Sequence, residues 1–557
     1  MATKIIIVGG VAGGATAAAR ARRIDESAII LLFERGQYVS FANCGLPYYI
    51  GGVINNRNAL LVTTPKVLRD RYNIDVRTSS EVTAIDRETK RVQVKNLTTG
   101  ETYYESYDKL ILSPGAEPIR PPIPGMNPDR IFQLRTIPDA DRIKAYVESG
   151  KPESAVVIGG GFIGLEMAEN LVLRGVKTTI VEMLDQVMAP LDYEMAAMVH
   201  RHLIQKGANL ELSNGVKAFS DRGDRLLVST SQDRDLECDF AILAIGIRPE
   251  NKLAKDAGLE LGERGGIKVD ATLRTSDPDI FAIGDAAEIR DYLFGWPTMT
   301  ALAGPANKQG RIAADNASGR RVIFKGTTGS AVVKVFDLTV AATGAGGKIL
   351  KKNNVAFTTS HTFSASHADY YPGGVTMGIK LIYAPGTGKL YGAQIVGGPG
   401  VDKRIDILAT AIRGGLTVFD LEELELAYAP PYSSAKDPVN IAGFVAANKL
   451  RDDLSSLDWS ELNDLNPDRV VFLDVREPIE LQRIGVIEGA LNIPLGQLRT
   501  RLAELNRDKE YIVYCAVGMR AYVAHRILRQ NGFKSSSLSG GFTMYFLMKD
   551  YLNKIRK

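Results

Sequence analysis

The chain has 557 residues, of which 45% are hydrophobic and 24% are charged, and its formal net charge is +4. This length exceeds what one hydrophobic core serves, so roughly three or four structural units are expected. The small net charge gives no indication of nucleic-acid binding, and the lack of a long apolar run argues against a membrane span.

The chain contains three cysteines, Cys44, Cys238 and Cys515, which lie far apart. An odd number of widely spaced cysteines does not form a disulfide framework, which predicts a reducing, cytoplasmic setting. A strand predicted from Lys4 leaves no room for a signal peptide before it. Cys238 lies in the segment Leu236 to Leu243 and is predicted to be a core or strand residue. No metal ligand is predicted.

The first predicted elements form a βαβ unit typical of dinucleotide binding. Ile5 to Val8 predict a strand, Ala15 to Arg23 a helix, and Ile29 to Phe33 a second strand. Glycines before the helix let a pyrophosphate approach its N-terminus, and an acid after the second strand binds ribose hydroxyls. Val11 replaces the middle glycine of the usual pattern. The predicted cofactor-binding residues here are Gly9, Ala12, Gly13, Gly14, Glu34 and Arg35.

Cys44 lies in the segment Ser40 to Pro47, which follows this unit. Asn43 and Gly45 flank it and Pro47 is placed to open a helix, so its context is a turn rather than a core. A thiol at a helix N-terminus faces unpaired amides and the positive end of the helix dipole, which favours the thiolate. The sequence therefore predicts Cys44 as the redox centre, with a packed small hydrophobe as the alternative.

A second βαβ unit has Ala155 to Ile158 and Thr178 to Val181 as its strands, and its glycine turn keeps the usual spacing. Two such units predict two dinucleotides, one tightly held flavin and one exchangeable nicotinamide. Glu182, with no arginine directly after it, repels a 2′-phosphate, which favours NADH over NADPH. Phe162 is expected either to cover the flavin face until nicotinamide displaces it or to pack in the fold. The predicted cofactor-binding residues here are Gly159, Gly161, Phe162, Gly164 and Glu182.

Two further strand ends carry a family resemblance. Leu110 to Leu112 lead into Ser113 and Gly115, and Ile280 to Ile283 lead into a glycine followed by Asp285. Together with the first glycine turn and its acid, this combination resembles the pyridine nucleotide-disulfide oxidoreductases. The resemblance implies FAD in the first unit, with Asp285 on its ribitol chain and Ser113 and Gly115 among its binding residues.

The resemblance narrows to a single-cysteine branch, because the fifth residue after Cys44 is Tyr49 rather than a second cysteine. One cysteine cannot form an internal disulfide and must cycle through a mixed disulfide, a persulfide or a sulfenic acid. The branch contains NADH oxidases, NADH peroxidases and coenzyme A-disulfide reductases, and this chain is most similar to the last.

That similarity implies coenzyme A along the first helix, where Arg20 and Arg23 share a face and Arg22 lies beside them. A solvated basic face is the alternative. The implied coenzyme A ligands are Thr16, Arg20, Arg23, Ser40, Asn43 and, from a partner chain, Lys436.

Short strands and helices from about residue 329 to 445 resemble the interface domain of the same family. The resemblance implies a homodimer in which each chain completes the active site of the other. Where two-cysteine relatives have a histidine motif, this chain has Tyr428 to Tyr432. A phenol can donate a proton to a departing thiolate. By resemblance, Tyr428 and Tyr370 of the partner chain take this role; ordinary interface tyrosines are the alternative.

The last part of the chain predicts a further α/β unit. Val470 to Leu473 predict a strand ending in Asp474, and Tyr511 to Tyr514 a strand that enters Cys515. A thiol in a strand-to-helix loop lies among amides that cradle an anion, and Arg520 adds positive charge. These segments resemble a rhodanese domain in which Cys515 carries sulfur. The implied structural residues are Asp474 and Arg476.

The predicted fold class is α/β, with two Rossmann-like dinucleotide-binding domains, an α+β dimerisation domain and a C-terminal α/β rhodanese domain. The predicted ranges are 1–150 and 247–328 for FAD, 151–246 for NADH, 329–447 for dimerisation and 456–557 for rhodanese.

The resulting hypothesis is an FAD-dependent reductase that passes electrons from NADH to coenzyme A persulfide or polysulfide through Cys44 and releases sulfide. Cys515 would carry the sulfane sulfur. The alternatives are a coenzyme A-disulfide reductase, an NADH oxidase or peroxidase in which Cys44 cycles through sulfenic acid, and a protein that is mainly a sulfurtransferase.

Overall fold

The computed structural model of the chain describes residues 2–127 and 129–555. The chain separates into two compact units: the first contains residues up to Val187 together with Gly207–Gly329, and the second contains Met188–Lys206 together with the residues from Ser330 onwards. The elements up to Val187 are β1 (Lys4–Val8), α1 (Ala12–Ile24), β2 (Ile29–Phe33), α2 (Leu46–Ile50), α3 (Pro65–Tyr72), β3 (Asp75–Arg77), β4 (Ser80–Asp86), β5 (Arg91–Asn96), β6 (Thr102–Ser106), β7 (Lys109–Leu112), β8 (Ala116–Pro118), β9 (Ile131–Phe132), α4 (Ile137–Gly150), β10 (Ser154–Ile158), α5 (Phe162–Leu173) and β11 (Lys177–Val181).

The remaining elements divide between the two units. Helix α6 (Tyr193–Gln205) belongs to the second unit. Back in the first unit follow β12 (Asn209–Glu211), β13 (Val216–Arg222), β14 (Arg225–Thr230), β15 (Asp235–Cys238), β16 (Phe240–Leu243), β17 (Ile247–Pro249), α7 (Lys252–Asp256), β18 (Ile267–Lys268), β19 (Ile280–Ala282), β20 (Ala287–Arg290), β21 (Pro297–Thr298) and α8 (Ala303–Ala317). The rest of the second unit contains β22 (Ala331–Val335), β23 (Leu338–Gly344), α9 (Gly347–Lys352), β24 (Thr358–Ala365), β25 (Thr376–Tyr383), β26 (Leu390–Gly397), α10 (Val401–Gly414), α11 (Val418–Glu423), α12 (Pro438–Leu450), β27 (Ser456–Leu457), β28 (Val470–Asp474), α13 (Pro478–Ile484), β29 (Leu491–Asn492), α14 (Leu495–Leu498), β30 (Glu510–Tyr514), α15 (Met519–Gln530), β31 (Lys534–Leu538) and α16 (Gly541–Ile555).

Two five-stranded parallel sheets form the framework of the first unit, in the strand orders β19-β7-β1-β2-β3 and β12-β11-β10-β16-β9. The central strand β1 is buried from Ile5 onwards, with Ile5, Ile6 and Ile7 at most 1% exposed, as expected of a parallel strand covered on both faces. In both sheets the strand order reverses beside the first strand of a βαβ unit. Ligands of such sheets bind at this reversal, outside the carboxyl ends of the strands. The predicted α/β class is confirmed.

One local prediction for the first unit needs correction. Helix α1 begins at Ala12 rather than Ala15, because the glycines form its first turn. The segment from Leu236 to Leu243 contains the end of β15, in an antiparallel sheet, and the whole of β16, in a parallel one. Asp239 separates them, and its carboxylate accepts hydrogen bonds from the amides of Glu153 and Ser154, both at 2.8 Å. Cys238 is buried, as predicted.

The second unit combines an antiparallel sheet, β22-β23-β26-β25-β24, with a parallel sheet, β27-β31-β30-β28-β29. Helices α10 and α12 pack against the antiparallel sheet. The sequence assigned α6 to the NADH range 151–246, but this helix packs against the antiparallel sheet and α16.

A buried group of charged side chains connects the two sheets of the second unit. Lys380 on β25 pairs with Asp192 at 2.8 Å and with Glu194 on α6. Burial opposes the charged form of Lys380, but the two carboxylates outweigh it and raise its pKa to about 12. His361 on β24 contacts Glu194 at 3.2 Å through Nε2 and the Ser539 hydroxyl at 3.0 Å through Nδ1. Because Ser539 directly follows β31, His361 ties the antiparallel sheet to the parallel one.

No helix among residues 2–127 and 129–555 is long and apolar enough to cross a membrane. Across the same residues, no group of three or more His, Cys, Asp and Glu side chains is arranged to hold a metal ion.

Candidate functional site

The first glycine turn lies at the carboxyl end of β1, where it contacts the end of β7. Gly9 has a left-handed φ of +94°, and a β-carbon on it would lie 2.1 Å from the carbonyl oxygen of Ser113. A β-carbon on Gly14 would lie 1.8 Å from the carbonyl oxygen of Gly9. Side chains at these two positions would therefore break the turn. The turn leaves the N-terminus of α1 open to an anionic group.

Glu34 follows β2 and points at this turn. Its carboxylate accepts hydrogen bonds from the amides of Gly10 at 2.8 Å and Gly36 at 2.7 Å. A carboxylate has about four lone-pair sites, so it can accept ribose hydroxyls as well. Arg35, also predicted to bind cofactor, forms a bidentate ion pair with Glu250 at 2.5 and 2.7 Å.

The second glycine turn repeats this geometry at the end of β10. Gly159 has a φ of +108°, and a β-carbon on it would lie 2.3 Å from the carbonyl oxygen of Ala244. The Glu182 carboxylate accepts hydrogen bonds from the amides of Gly160 at 2.7 Å and Leu184 at 2.8 Å. Both turns thus combine a tight glycine, an open helix N-terminus and an acid fixed beside them. This arrangement fits a dinucleotide in each sheet.

The structure explains why the first turn tolerates Val11. Val11 and Gly161 are the N-cap residues of α1 and α5, with φ values of −93° and −81°. Neither value lies in the left-handed region that favours glycine. A β-carbon on Gly161 would meet no atom within 4 Å. The backbone at this position therefore does not require glycine. Phe162 is the first residue of α5 and is half-buried.

Asp285 lies in the 3-10 turn that follows β19, at the same sheet edge as the first glycine turn. Burial raises the pKa of its carboxyl, and the positive charge of Arg135 opposes that rise. Among the described residues, no group donates a hydrogen bond to this carboxylate. A half-buried acceptor without a protein donor fits a polyhydroxylated ligand such as ribitol.

Arg135 is a cation at this edge that the sequence did not single out. Its guanidinium lies 3.2 Å from where a β-carbon on Gly115 would be, and it bonds to no side chain in the described part of the chain. Burial lowers its pKa, while the charges of Glu250 and Asp285 oppose that shift. A half-buried arginine without a carboxylate partner can bind a phosphate oxygen.

Cys44 lies in a 3-10 turn, Asn43–Gly45, that runs directly into α2. The thiol is exposed, and Pro47 lies in the first turn of α2. Ser40 holds the start of this segment to the first glycine turn, because its amide donates to the carbonyl oxygen of Gly10 at 2.8 Å. Ser40 has a left-handed φ of +46°, a strained conformation for serine that persists only where neighbouring contacts impose it.

A backbone hydrogen bond lowers the pKa of the Cys44 thiol, in the direction that the sequence predicted, but this effect is outweighed and the pKa is raised. Partial burial raises the pKa of the thiol, and the negative charges of Glu166 and Asp285 raise it further. Glu166 lies on α5, and the Tyr48 hydroxyl donates to it at 3.4 Å. Burial raises the pKa of Glu166 to about 7, against the effect of the Tyr48 hydrogen bond. The thiol and a carboxyl that titrates near neutral pH therefore belong to one site.

The residues predicted to bind coenzyme A divide into two groups. Arg20 is engaged with Asp315, to which it donates at 3.1 and 2.8 Å. The Thr16 hydroxyl donates to the Asn307 side chain at 2.8 Å. Arg22 is 5% exposed and donates only to backbone carbonyls, so it does not belong to the basic face. The residues whose side chains are exposed and bond to no other described residue are Arg23, Asn43 and Lys436.

Tyr370 and Tyr428 form a pair in the second unit, with their hydroxyl oxygens 2.5 Å apart. They are 74% and 45% exposed. The buried Arg404 on α10 holds their two segments together. Its guanidinium donates to the carbonyl oxygen of Ser366 at 2.9 Å and to the Asp437 carboxylate at 2.9 Å. Ser366 precedes Tyr370, and Asp437 follows Tyr428, so Arg404 positions the pair.

Cys515 ends β30 and begins the loop that leads into α15. The residue is 2% exposed, and its sulfur accepts a hydrogen bond from the Gly518 amide at 3.1 Å. The amide of Phe542 donates to the carbonyl oxygen of Cys515 at 2.8 Å and fixes the start of the loop. Asp474 and Arg476 form a fully buried ion pair at 2.6 Å, which supports their predicted structural role.

Arg520 is not a free positive charge. Its guanidinium donates to both carboxylate oxygens of Glu480, at 2.6 and 2.7 Å. These hydrogen bonds raise the pKa of Arg520, and the proximity of Cys515 contributes to the rise. Glu480 lies in the first turn of α13.

The sequence analysis did not identify four residues of these sites: Glu166, Arg135, Arg404 and Glu480. A signal existed for Glu166, since it is one of two acids in α5, whose other residues apart from Asn170 are apolar, and a charge on a buried helix face needs a partner or a function. The others depend on contacts between segments distant in sequence, so periodicity and motif spacing could not find them.

Three family models match the chain. The model of the pyridine nucleotide-disulphide oxidoreductase family matches residues 3–317, the dimerisation domain of that family matches 330–438, and the rhodanese-like domain matches 458–546. The coenzyme A disulfide reductase of Staphylococcus haemolyticus is 36% identical over 444 residues, which are 80% of this chain and 99% of that protein.

Two solved structures cover nearly the whole chain. The reduced CoADR-RHD of Bacillus anthracis is 51% identical with a TM-score of 0.96, over 99% of each chain. The NAD-dependent persulfide reductase of A. fulgidus is 39% identical with a TM-score of 0.92, over 98% of this chain and 100% of the other.

Proposed function

Because this chain is an oxidoreductase that belongs to the pyridine nucleotide-disulphide oxidoreductase family and carries a rhodanese domain, we propose that it reduces coenzyme A persulfide or polysulfide with NADH. The proposal includes bound FAD and a homodimer. The observation that carries it is that Cys44 is an exposed free thiol, whereas Cys238 and Cys515 are both buried. Such a thiol suits an exogenous sulfur substrate.

The separate sheets support different roles for different segments of the chain. We assign residues 1–150 and 247–328 to FAD, 151–246 with the exception of α6 to NADH, 329–447 to dimerisation and 456–557 to sulfur carriage. The FAD residues would be those of the first glycine turn, Glu34, Ser113 and Asp285, with Arg135 on a phosphate. FAD, when bound, supplies two-electron transfer between nicotinamide and sulfur.

Cys44 would act as the nucleophile. Its thiolate attacks the inner sulfur of coenzyme A persulfide, forms a mixed disulfide with coenzyme A and expels hydrosulfide. Two electrons from NADH then cleave that disulfide and return the Cys44 thiolate and the coenzyme A thiol. The overall balance is NADH, one proton and a persulfide giving NAD⁺, a thiol and hydrogen sulfide.

We assign three side chains to the proton transfers in these steps. Tyr370 and Tyr428 of the partner chain would protonate the departing hydrosulfide or thiolate. Glu166, whose pKa of about 7 follows from burial, would hold or release a proton beside Cys44 near neutral pH. The exposed side chains of Arg23, Asn43 and the partner chain's Lys436 would contact the coenzyme A nucleotide.

Cys515 would carry sulfane sulfur as a persulfide that the coenzyme A thiol collects. Because the carrier and the reductase are one chain, delivery is intramolecular, with an effective concentration on the order of mM where the geometry permits contact. This linkage favours a persulfide over a plain disulfide as the main substrate.

The proposal is tested by anaerobic NADH oxidation with coenzyme A persulfide, with sulfide quantified. We expect sulfide in step with NADH in the wild type and loss of turnover in Cys44→Ser. Cys238→Ala, which alters a buried cysteine of the first unit, is the matched control and should retain turnover. Unchanged turnover in Cys44→Ser would contradict the proposal.

Coenzyme A-disulfide reduction is the second candidate, because the 36% identical relative from S. haemolyticus has that name. Here Cys44 would attack the disulfide and release one coenzyme A thiol, and reduction would release the other. Faster turnover of coenzyme A disulfide than of the persulfide, with no sulfide formed, would favour it. NADH oxidation driven by oxygen or peroxide alone would instead indicate an oxidase or peroxidase. Thiosulfate-to-cyanide sulfur transfer as the dominant activity, surviving in Cys44→Ser, would indicate a sulfurtransferase.

A further inference from the structure

We propose that Glu480 sets the donor specificity of the rhodanese domain, so that Cys515 takes sulfur from an organic persulfide in preference to thiosulfate. This inference rests on the proposed function of Cys515 as a sulfur carrier. It concerns a residue outside the cysteine loop, on α13, to which the sequence assigned no role.

The loop around Cys515 stabilises one negative charge through its backbone. The Gly518 amide donates to the cysteine sulfur at 3.1 Å, and the loop leads into the N-terminus of α15. Backbone amides at such a turn stabilise a thiolate or a persulfide anion. Arg520, the second residue of α15, brings a positive side chain close enough to Cys515 for the two to interact electrostatically.

Glu480 neutralises that charge in a fixed geometry. Both of its carboxylate oxygens accept from the Arg520 guanidinium, at 2.6 and 2.7 Å, and one of them also accepts from the Glu477 amide at 3.0 Å in a capping box. The side chains of Arg520 and Glu480 are 34% and 28% exposed, so the pair is partly shielded from water. Arg520 therefore brings no net positive charge to the loop.

The two sulfur donors differ in the charge at their reacting end. A persulfide RSS⁻ gives its outer sulfur to the Cys515 thiolate, forms the Cys515 persulfide and leaves as a thiolate RS⁻. Thiosulfate makes the same sulfur bond but arrives as a dianion and leaves as sulfite, SO₃²⁻. A doubly charged donor is attracted more strongly than a singly charged one by an arginine without a carboxylate partner. It is also repelled more strongly by a neighbouring carboxylate. The compensated pair thus selects against thiosulfate.

The test uses the full chain carrying Cys44→Ser, so that only Cys515 reacts. Sulfur loading of Cys515 is followed by mass spectrometry with thiosulfate and with coenzyme A persulfide, with and without Glu480→Gln. We expect Glu480→Gln to raise kcat/KM for thiosulfate loading about tenfold and to change persulfide loading less than about threefold. Glu477→Gln is the matched control, because Glu477 is exposed and does not pair with Arg520.

A double variant tests whether Arg520 causes the faster thiosulfate loading of Glu480→Gln. Glu480→Gln together with Arg520→Gln should not show the higher kcat/KM for thiosulfate loading, since the double variant lacks the unpaired Arg520 guanidinium. An unchanged preference between the donors in Glu480→Gln, with Cys515 still loaded by persulfide and an unchanged melting temperature, overturns the inference alone. No loading of Cys515 by either donor overturns both the inference and the proposed sulfur carriage.

Discussion

The hydroxyl oxygens of Tyr370 and Tyr428 lie 2.5 Å apart, although 58 positions separate the two residues in the chain. Their hydrogen bond raises the pKa of Tyr370, because the shared proton stabilises the neutral phenols. A paired phenol of this kind stays protonated at neutral pH and is available as a proton donor.

Replacing either tyrosine should slow the reaction rather than weaken binding. We expect Tyr428→Phe and Tyr370→Phe each to lower kcat for persulfide reduction about 100-fold, the size of a general acid contribution, with a smaller change in KM. Steady-state kinetics across pH measures this. Tyr432→Phe is the control: Tyr432 is 73% exposed, and its hydroxyl bonds to no other described residue. Equal rates for all three variants would exclude the proton-donor role.

Glu166 should control the ionisation of Cys44. Its negative charge raises the pKa of the thiol, so Glu166→Gln should move the midpoint of Cys44 alkylation to lower pH. The measurement is the iodoacetamide rate against pH in a Cys515→Ser background. Glu263→Gln, an exposed acid of the first unit, should leave the midpoint unchanged.

Glu166 should also affect how the stability of the folded protein depends on pH. The folded protein keeps the Glu166 proton up to a pKa of about 7, whereas the unfolded chain releases it near about 4.3. The native state therefore binds more protons between these values, and this group makes stability fall as pH rises through that window. Glu166→Gln should flatten the decline in melting temperature between about pH 4.5 and 7. An equally steep decline in the variant would contradict the assignment.

Glu182 should determine the choice of nicotinamide cofactor. Its carboxylate is held beside the second glycine turn by the Gly160 and Leu184 amides, where it repels a 2′-phosphate. We expect Glu182→Ala to raise the ratio of kcat/KM for NADPH over NADH about tenfold. Stopped-flow reduction with each cofactor checks this. Glu237→Ala, an exposed acid on β15, is the control, and a similar shift there would refute the specific role.

Arg404 should be required for both stability and turnover. Arg404→Met leaves the buried Asp437 carboxylate with the Ser433 hydrogen bond and only the more distant Lys403, at 3.9 Å, as a cation, which costs about 3–5 kcal/mol. Calorimetry should show a lower melting temperature. Any folded fraction should lose turnover as Tyr428→Phe does, because the two tyrosine segments lose their common anchor. Adding Asp437→Asn should recover part of the stability but not the turnover.

Lys380 should govern the response of the second unit to acid. Burial opposes ionisation of Glu194, but Lys380 and His361 hold the pKa of that carboxyl well below its ordinary range. A depressed carboxyl pKa contributes stability above the unfolded value, and that contribution is lost as pH falls through the folded one. Lys380→Met should therefore lower stability at pH 7 by about 3–5 kcal/mol and weaken its dependence on pH below about 5.

The control for this experiment is Lys389→Met, which changes an exposed lysine in the same unit. Its melting temperature should match that of the wild type across the acid range. An unaltered acid profile in Lys380→Met would show that the buried carboxylates do not depend on Lys380.

The sequence predicted both glycine turns, their acids and the strands before Ser113, Asp285 and Cys515, because each depends on residues close together in the chain. Hydrophobic runs ending at glycine or acid specify strand ends, and the ends of parallel strands share one edge of a sheet. The sequence also predicted Cys44 and Cys515 as chemically distinct from the buried Cys238, from their flanking residues alone.

Only the tertiary structure decided the charge state around these groups. The raised pKa of Cys44, the near-neutral carboxyl of Glu166 and the neutralised Arg520 all arise from burial and from partners on other elements. Arg20, which shares a basic face with Arg23 in the sequence, proved to be paired with Asp315. Electrostatic interactions depend on distance and on solvent exposure, and both are set by packing between segments that local sequence patterns do not relate.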